Sequence, residues 1–474
     1  MSKKLLSSLA ALVTAIAGMG IVKADTGYAA TFTSSITYSN VGTGSASVLM
    51  NFYDQASGTA IPVTRPSLAP GASSSLFLGS TSLTAGFNGS AIISSDQPIA
   101  ATAVQIATNA GTLVKNRPLS NGFASGAAQV LIASTLRAKF NNTTRFNVQN
   151  ASSANADITV SFYDADNAGQ LKATLPVVTL PAGAAKTFDL GAIAALPDGF
   201  NGSAVVNAVQ TGGTTPANIV ASALELSTTG VGASAFEGVT GGANTVYMAT
   251  ALCNAFGGFN SFYAVQNTSS ATNAQVTVTY SNGVTDAATV TPGAKKSFAT
   301  CSAPNMPQGF SGAATVTSTG GAIVAIGKVG GLGATTAFLG ETAGNAKLAC
   351  PYVRWTPLAV YNSGLRQRAN IAIQNVGGAL AAGAVTVKYI DAAGAVKASQ
   401  PLGALATGAK QSVNSSQTAL GDTDFGVDAS LTNFGGGVTI EGPAGTQLVA
   451  ITRIGSSDPG GATGYAEDYN CIPF

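Results

Sequence analysis

The sequence predicts an all-β chain: four tandem antiparallel β-sandwich modules that follow a signal peptide. Three observations predict it. Five short motifs recur four times in one order, about 110 residues apart, which indicates tandem duplication. The segments between them alternate apolar and polar residues with a period of two. Gly and Pro, 57 and 18 of the 474 residues, separate these segments at turn spacing. The predicted boundaries are 1–24 for the signal peptide and 25–118, 119–240, 241–343 and 344–474 for the modules.

Each repeat begins with an asparagine that closes an apolar strand, at Asn40, Asn150, Asn267 and Asn375. An alternating strand follows, then a turn such as "LAPGA", then "GFNGSA" or a variant, and finally an apolar strand such as "IVASALEL". The fourth copy is the most divergent, because only Phe434-Gly435-Gly436 stands in place of "GFNGSA". Its boundaries are therefore the least defined.

The alternation predicts strands with one buried face. In the second copy Ile158, Val160 and Phe162 alternate with Thr159, Ser161 and Tyr163, so one set faces a core and the other faces out. Units of this length, with turn signals every eight to fifteen residues, favour a two-sheet sandwich of the immunoglobulin type. Such a unit buries its own core, unlike a short solenoid repeat.

The repeated "GFNGSA" has a structural interpretation. Gly86 and Gly89 permit a tight turn, and Phe87 fills the core before the next strand begins. The alternative is that Asn88 binds a ligand. Repeated glycines usually encode backbone geometry, which favours the structural interpretation.

The N-terminus has the features of an export signal. Lys3 and Lys4 precede the mostly apolar segment 5–22, and Val22-Lys23-Ala24 predicts cleavage after Ala24. The alternative is an uncleaved membrane anchor. With cleavage, the membrane is a partner only during export.

The four cysteines, Cys253, Cys301, Cys350 and Cys471, are even in number, as expected for disulfides in an exported chain. Three pairings are open, and Cys253–Cys301 with Cys350–Cys471 is favoured because each pair then lies within one predicted module. Free buried thiols are the alternative.

Composition argues against most catalytic classes. The chain has no histidine, which removes Ser-His-Asp and Cys-His catalysis and the commonest metal ligand. A Gly-x-Ser-x-Gly elbow, a Walker loop and a dinucleotide fingerprint are all missing. The net charge of +2, with scattered Lys and Arg, gives no basis for nucleic-acid binding. We therefore expect a protein that is not an enzyme and needs no cofactor.

Three further sets of residues are weaker candidates for binding or modification. Calcium could be bound by Asp164, Asp166 and Asn167, or by Asp458, Glu467 and Asp468, although the first set fits a hairpin turn better. Trp355, with Tyr352, Arg354 and Tyr361 nearby, could stack on surface glycans but more often such a residue fills a core. Candidate glycosylation sequons occur at Asn88, Asn141, Asn142, Asn150, Asn201, Asn267 and Asn414.

The motif order "vQN … fYD … L.PGA … GFnGSA … ivA" resembles the tandem immunoglobulin-like modules of bacterial cell-surface and extracellular-filament proteins. The resemblance covers nearly all of the chain after the signal peptide. It implies a structural role in a stalk, surface layer, adhesin or fibre, and it implies no catalytic residue.

The function predicted from these observations is that of a secreted structural protein that assembles with itself. Charged residues are only 9% of the chain, so much of its surface is suited to contact other subunits. Module 1 lacks the first strand of the later modules after signal cleavage, which leaves a sheet edge for strand addition. The predicted donors are the N-terminal segment from Asp25 to Phe32 or the C-terminal tail with Tyr469, Ile472 and Phe474. The alternatives are an adhesin or glycan-binding protein of the same architecture and, less favoured, a hydrolase.

Overall fold

The structure is a computed structural model that describes residues 11–14, 32–55, 57–107, 117–229, 232–331, 334–357, 366–418, 420–421, 423–427, 435–457 and 464–474. Within these ranges the chain forms β-strands and five short 3-10 helices, at Leu78–Ser80, Ala165–Asn167, Leu190–Ala192, Thr300–Ser302 and Ser415–Gln417, and no α-helix. The prediction of an all-β chain is confirmed. No helix in the described ranges has the length and apolar character needed to span a membrane.

The strands fall into four successive groups, which we call units 1 to 4. Unit 1 contains β1 (Ala11–Thr14), β2 (Phe32–Asn40), β3 (Val48–Asp54), β4 (Ala60–Thr64), β5 (Ser73–Phe77), β6 (Gly89–Ser95), β7 (Ile99–Ala107) and β8 (Leu119–Asn121). Unit 2 contains β9 (Gln129–Arg137), β10 (Asn142–Asn150), β11 (Ala156–Asp164), β12 (Gln170–Thr174), β13 (Val178–Leu180), β14 (Ala185–Asp189), β15 (Phe200–Gln210), β16 (Ile219–Ser227) and β17 (Ala233–Glu237).

Units 3 and 4 repeat this order. Unit 3 contains β18 (Thr245–Cys253), β19 (Asn260–Asn267), β20 (Ala274–Tyr280), β21 (Thr285–Val290), β22 (Lys295–Ala299), β23 (Phe310–Gly320), β24 (Ile323–Gly331) and β25 (Ala334–Leu339). Unit 4 contains β26 (Lys347–Cys350), β27 (Arg366–Asn375), β28 (Thr386–Asp391), β29 (Val396–Pro401), β30 (Lys410–Asn414), β31 (Gly436–Glu441), β32 (Leu448–Ser457), β33 (Gly464–Asn470) and β34 (Ile472–Pro473).

Every unit has two antiparallel sheets with the same strand order. In unit 2 the first sheet runs β9-β15-β11-β12, with β13 also paired to β11, and the second runs β14-β10-β16-β17. The corresponding orders are β1-β6-β3-β4 with β5-β2-β7-β8, β18-β23-β20-β21 with β22-β19-β24-β25, and β34-β26-β31-β28-β29 with β30-β27-β32-β33. The sequence repeat is therefore also a repeat of topology.

The apolar faces of the two sheets meet in each unit. In unit 2, Ile158, Val160 and Phe162 of β11 are buried while the residues between them are partly exposed. They share one core with Phe146 of the second sheet and with Phe200, the phenylalanine of the "GFNGSA" motif. Phe162 and Phe200 meet edge to face, with ring centroids 6.2 Å apart. This aromatic contact is the core function predicted for the motif.

The row of units closes on itself. The core of unit 2 continues into unit 3 through Val324 and Ile326, and the core of unit 3 continues into unit 4 through Val449 and Ile451. The core of unit 4 takes in Val104 of unit 1. The last unit therefore packs against the first, and the four tandem units form a ring.

Candidate assembly site

The landmark asparagines hold each unit together from inside. Asn267 is fully buried, its Nδ2 donates hydrogen bonds to the carbonyls of Thr272 at 2.7 Å and Val290 at 2.9 Å, and its Oδ1 accepts one from Ser269 N–H at 3.0 Å. One side chain thus ties the end of a strand to its own turn and to the approach of the "PGA" turn. Asn40, Asn150 and Asn375 make the same set of bonds.

The "GFNGSA" and "PGA" motifs meet across the joints between units. Ser203 of unit 2 donates a buried hydrogen bond of 2.8 Å to the carbonyl of Gly293 in unit 3. Ser90 of unit 1 bonds Gly183 of unit 2 in the same way at 2.8 Å. Each motif therefore supplies one side of a contact between units, and this contact is repeated around the molecule. The prediction of a core residue and a turn did not include this role.

In units 3 and 4 the glutamine before the landmark asparagine reinforces the joint with the preceding unit. Gln266 Nε2 donates to Gly293 at 3.1 Å and to the carbonyl of Ala204 in unit 2 at 3.4 Å. Gln374 of unit 4 reaches Ala314 of unit 3 at 3.4 Å. In unit 1 the position holds Ser39 instead. The joint between units 4 and 1 therefore lacks the hydrogen bonds of this glutamine.

Gly293 shows why the "PGA" turn needs glycine. Its φ of 72° lies in the left-handed region, and a Cβ placed there would lie 2.7 Å from the ring of Tyr163 in unit 2. Gly183 meets the ring of Tyr53 in the same arrangement, at 2.5 Å. The backbone of one unit thus lies directly on an aromatic ring of the unit before it.

The joint between units 4 and 1 closes the ring. Ser73 N–H donates to the carbonyl of Ala392 at 3.1 Å, and Ser73 Oγ accepts a hydrogen bond of 2.5 Å from Gly436 N–H. A Cβ placed on Gly71 would lie 3.6 Å from Ile390, which occupies the place of Tyr53 and Tyr163 in the earlier joints. The divergent motif of the fourth copy therefore belongs to the joint where the chain meets its own beginning.

Ion pairs lie on the inner faces where units meet. Lys328 of unit 3 bonds both carboxylate oxygens of Glu225 in unit 2, at 2.6 and 2.8 Å, and Ser134 Oγ at 2.7 Å. At the next interface Arg453 and Asp468 pair within unit 4, and Asp468 also accepts a hydrogen bond of 2.5 Å from Thr336 of unit 3. Breaking such a pair leaves a buried charge without its partner, so these contacts specify which faces meet.

The final strands of the units, β8, β17, β25 and β33, meet on the inner side of the ring. The backbone N–H of Asn121 donates a hydrogen bond to the carboxylate of Glu237. The side-chain Nδ2 of Asn121 donates another, of 2.8 Å, to the carbonyl of Asn470. Asn470 in turn donates to Leu339 O at 2.9 Å and to Glu341 at 2.6 Å. Four units are thus connected through neighbouring polar groups.

Two carboxyl groups on this inner side are strongly affected by their surroundings. Burial raises the pKa of Glu237 to about 7, the N–H of Asn121 opposes this rise, and the charge of Glu341 adds to it. Burial also raises the pKa of Glu341 to about 7. Both groups therefore lose their protons near neutral pH rather than near pH 4.

The first-strand position of unit 1 is the place where the repeat is incomplete in the sequence. In units 2, 3 and 4 the edge of β15, β23 or β31 pairs with β9, β18 or β26 of the same unit. Beside β6 the partner is β1, with Leu12 opposite Ile93 and Thr14 opposite Ala91. Residues 11–14 lie inside the predicted signal peptide, so the predicted cleavage after Ala24 would remove this strand.

The C-terminal tail, one of the two predicted donors, pairs within its own unit in the structure. Asn470 to Gly464 pair along β32, and Ile472 lies opposite Ala349 of β26. Tyr469 is buried and its hydroxyl bonds Tyr352, while Phe474 lies near the ammonium of Lys347.

Of the predicted N-terminal donor, the structure describes Phe32 alone. Phe32 begins β2, lies opposite Ala107 of its own sheet, and packs on Leu224 and Ala235 of unit 2. Phe32 is therefore not part of a free strand. Asp25 lies outside the described residues.

The four cysteines form the two favoured pairs. Cys253 is joined to Cys301 and Cys350 to Cys471, with Cα atoms 4.8 and 4.5 Å apart. The second bridge anchors the residue between β33 and β34 to the end of β26, which adds a covalent restraint to the tail.

The candidate calcium ligands have protein partners. Asp164 caps the 3-10 helix through Asp166 N–H at 3.0 Å, and Asp166 accepts from Lys139 and Asn201. Those hydrogen bonds lower the pKa of Asp166 although burial opposes them. Glu467 pairs with Arg117, and Asp458 lies outside the described residues. Among the described residues no group of three or more acidic, His or Cys side chains is placed to hold a metal ion.

Trp355 belongs to the body of unit 4. It is half-buried against the core, and its indole N–H donates to Gly421 at 2.7 Å. Arg354 is buried with its guanidinium 4.3 Å from the ring centre of Tyr352. Tyr361 lies outside the described residues. These contacts match the core interpretation and leave the indole N–H unavailable for a sugar.

Three candidate glycosylation positions are corrected. Asn150, Asn201 and Asn267 are buried, and their Nδ2 atoms donate within the fold, so the folded chain has no room for a glycan there. Asn141 is exposed, whereas Asn88, Asn142 and Asn414 are half-buried. Of the seven sequons, Asn141 alone offers an exposed side chain in this fold.

Comparison with known proteins adds little. No family model matches the chain, and no curated protein matches it. Among solved structures, the chain is similar to a tetra-tandem repeat in the extending region of a large adhesion protein, with 12% identity, 98% of this chain and 99% of that chain covered, and a TM-score of 0.11. A score this low shows no shared arrangement of strands, so nothing about function follows from it.

Proposed function

We propose that this chain is a secreted, non-enzymatic structural protein that assembles with itself into an extracellular filament, sheath or surface layer. In this proposal each pair of sheets is an immunoglobulin-like module, residues 1–24 are a cleaved signal peptide, and the partner of the chain is another copy. The observation that carries it is the strand beside β6, which comes from residues 11–14. An exported chain without these residues keeps one sheet edge that needs a partner.

The chemistry of the molecule supports a structural role. Three ion pairs at the joints use their charged side chains for packing between strands and units: Lys328 with Glu225, Arg453 with Asp468, and Arg117 with Glu467. Two disulfides suit an oxidising environment outside the cytoplasm. A surface with 9% charged residues in the chain favours association over dispersion.

Sedimentation and electron microscopy of the mature chain, residues 25–474, test the proposal. We expect polymers whose mass grows with protein concentration, and fibres or sheets in micrographs. The matched control is the chain that retains residues 1–24, in which β1 fills its own edge; we expect it to stay monomeric. A mature chain that sediments as a monomer at millimolar concentration in native salt would contradict the proposal.

A further inference from the structure

We propose that the N-terminal arm of a second copy, residues 25–31, fills the first-strand position of unit 1 in the assembled protein. This inference rests on the proposed function, because it names the contact that joins two subunits. The acceptor is the edge of β6 from Ala91 to Ser94, which pairs with Ala11–Thr14 in the structure.

The acceptor edge is built to be covered. In unit 2 the corresponding segment Ala204–Asn207 pairs residue by residue with Gln129–Ile132 of β9. In unit 1, Ile93 is buried and Ile92 packs on Val220 of unit 2, so the edge lies beside a neighbouring unit and not on a free surface. Unpaired backbone N–H and C=O groups in such a place cost free energy that an added strand recovers.

The arm of the same copy is too short for this position. β2 and β10 are equivalent strands, because each starts eight residues before its landmark asparagine. The first residue of β2 pairs with Ala107, the last residue of β7, and the first residue of β10 pairs with Ser227, the last residue of β16. In unit 2 the strand that fills the edge, Gln129–Ile132, lies ten to thirteen residues before Asn142. Only seven residues, 25–31, precede Phe32 in the mature chain. Its own arm in the same register therefore ends before it reaches Ala91–Ser94.

A strand enters an existing groove most easily from a free chain end. The C-terminal segment is held within unit 4 by β33, β34 and the Cys350–Cys471 bridge. The N-terminal arm is the donor in this proposal. Seven extended residues span at most about 25 Å, and four strand pairs need roughly 13 Å, so the arm is long enough.

The composition of the arm suits the position. In units 2, 3 and 4 the residue equivalent to Leu12 is Val130, Val246 or Leu348, and all three are buried. The arm reads Asp-Thr-Gly-Tyr-Ala-Ala-Thr, with its one charged side chain at the free end and small, polar or aromatic residues after it. Because donor and acceptor are different surfaces, repeated addition gives a heterologous contact that can extend into a filament.

Disulfide trapping tests the contact directly. One mature chain carries Ser94→Cys on the acceptor edge, and a second carries Tyr28→Cys, which lies opposite Ser94 when residues 28–31 of the arm pair with Ala91–Ser94. The two are mixed and oxidised. We expect a covalent dimer only from the mixture, with the link between the two new cysteines found by mass spectrometry. As a matched control, Thr174→Cys on the outer strand β12 replaces Ser94→Cys and should give no such link. Polymers that form without any link through Ser94→Cys would overturn the inference.

A chain that begins at Phe32 provides the second measurement. We expect it to unfold at the same urea concentration as the mature chain, to form no polymers, and to bind a peptide of residues 8–17 but not a scrambled peptide. Polymerisation at the rate of the mature chain would overturn the arm contact and leave the proposed function intact. A mature chain that never polymerises removes both. Native polymers that contain the cleaved leader or another protein beside β6 would also overturn the inference.

Discussion

The hydroxyl of Ser203 donates a buried hydrogen bond to the backbone carbonyl of Gly293, 2.8 Å away and 90 residues later in the chain. Removing this hydroxyl in Ser203→Ala should lower the free energy of unfolding by about 1 kcal/mol, since the carbonyl keeps the donor Gln266 Nε2 and loses one of two partners. The urea midpoints of the wild-type and Ser203→Ala chains, each spanning residues 25–474, measure the change.

Ser161→Ala is the control for this joint. Ser161 Oγ bonds Thr174 at 3.0 Å on the solvent side of the same unit, so its loss should leave the midpoint nearly unchanged. Equal effects of the two substitutions on the urea midpoint would show that the hydrogen bond at the joint stabilises the fold no more than the one at the surface. The third copy already carries Ala313 where Ser203 stands, which shows that a methyl group fits the position.

The buried asparagines should be far less tolerant. Asn267→Ala removes two donated bonds and one accepted bond and leaves three backbone groups without their partner, so we expect a loss of about 3 kcal/mol. Asn273→Ala, an exposed position six residues later, is the matched control and should change stability little. Thermal unfolding of both variants would test this, and comparable melting temperatures would refute the role of Asn267.

The strands could be predicted from the sequence because burial leaves a local record. Val160 is buried and its neighbours are not, so the alternation of apolar and polar residues marked the strand before any fold was known. The "GFNGSA" copies also identified a repeat and a core residue, Phe200. A motif repeated together with the "PGA" turn was a signal that the two touch, although neither motif says that they touch across units.

The ring could not be predicted because its closure depends on contacts without a repeated pattern. Ser73 bonds Ala392 and Gly436, and these residues differ from their counterparts in the other joints. The destination of the tail was equally hidden, since Ile472 suits any open sheet edge and only the arrangement of unit 4 brings it beside Ala349.

Stability should depend on pH through the inner carboxyl groups. Burial raises the pKa of Glu237 to about 7, above the value of 4.5 in the unfolded chain, so the folded state holds a proton that the unfolded state has lost. The stabilisation is complete below about pH 4.5 and is lost as pH rises through 7. Urea midpoints from pH 4.5 to 8 should fall with pH. Glu237→Gln should reduce this slope, while Asp198→Asn at a position 79% exposed should not. A rise of the midpoint across this range would contradict the assignment.

The Cys350–Cys471 bridge should stabilise the chain more than Cys253–Cys301 does. It closes a segment of 121 residues against 48 for the other, and a longer closed segment restricts the unfolded chain more. Replacing both Cys350 and Cys471 by Ser should cost about 4 kcal/mol, and replacing Cys253 and Cys301 somewhat less. The Cys350–Cys471 bridge also holds strand β34 at the edge of β26. Its loss should therefore increase hydrogen exchange at Ile472. Urea unfolding under oxidising conditions compares the two double variants, and a larger loss for the Cys253 and Cys301 variant would show that strain or local packing outweighs the length of the closed segment.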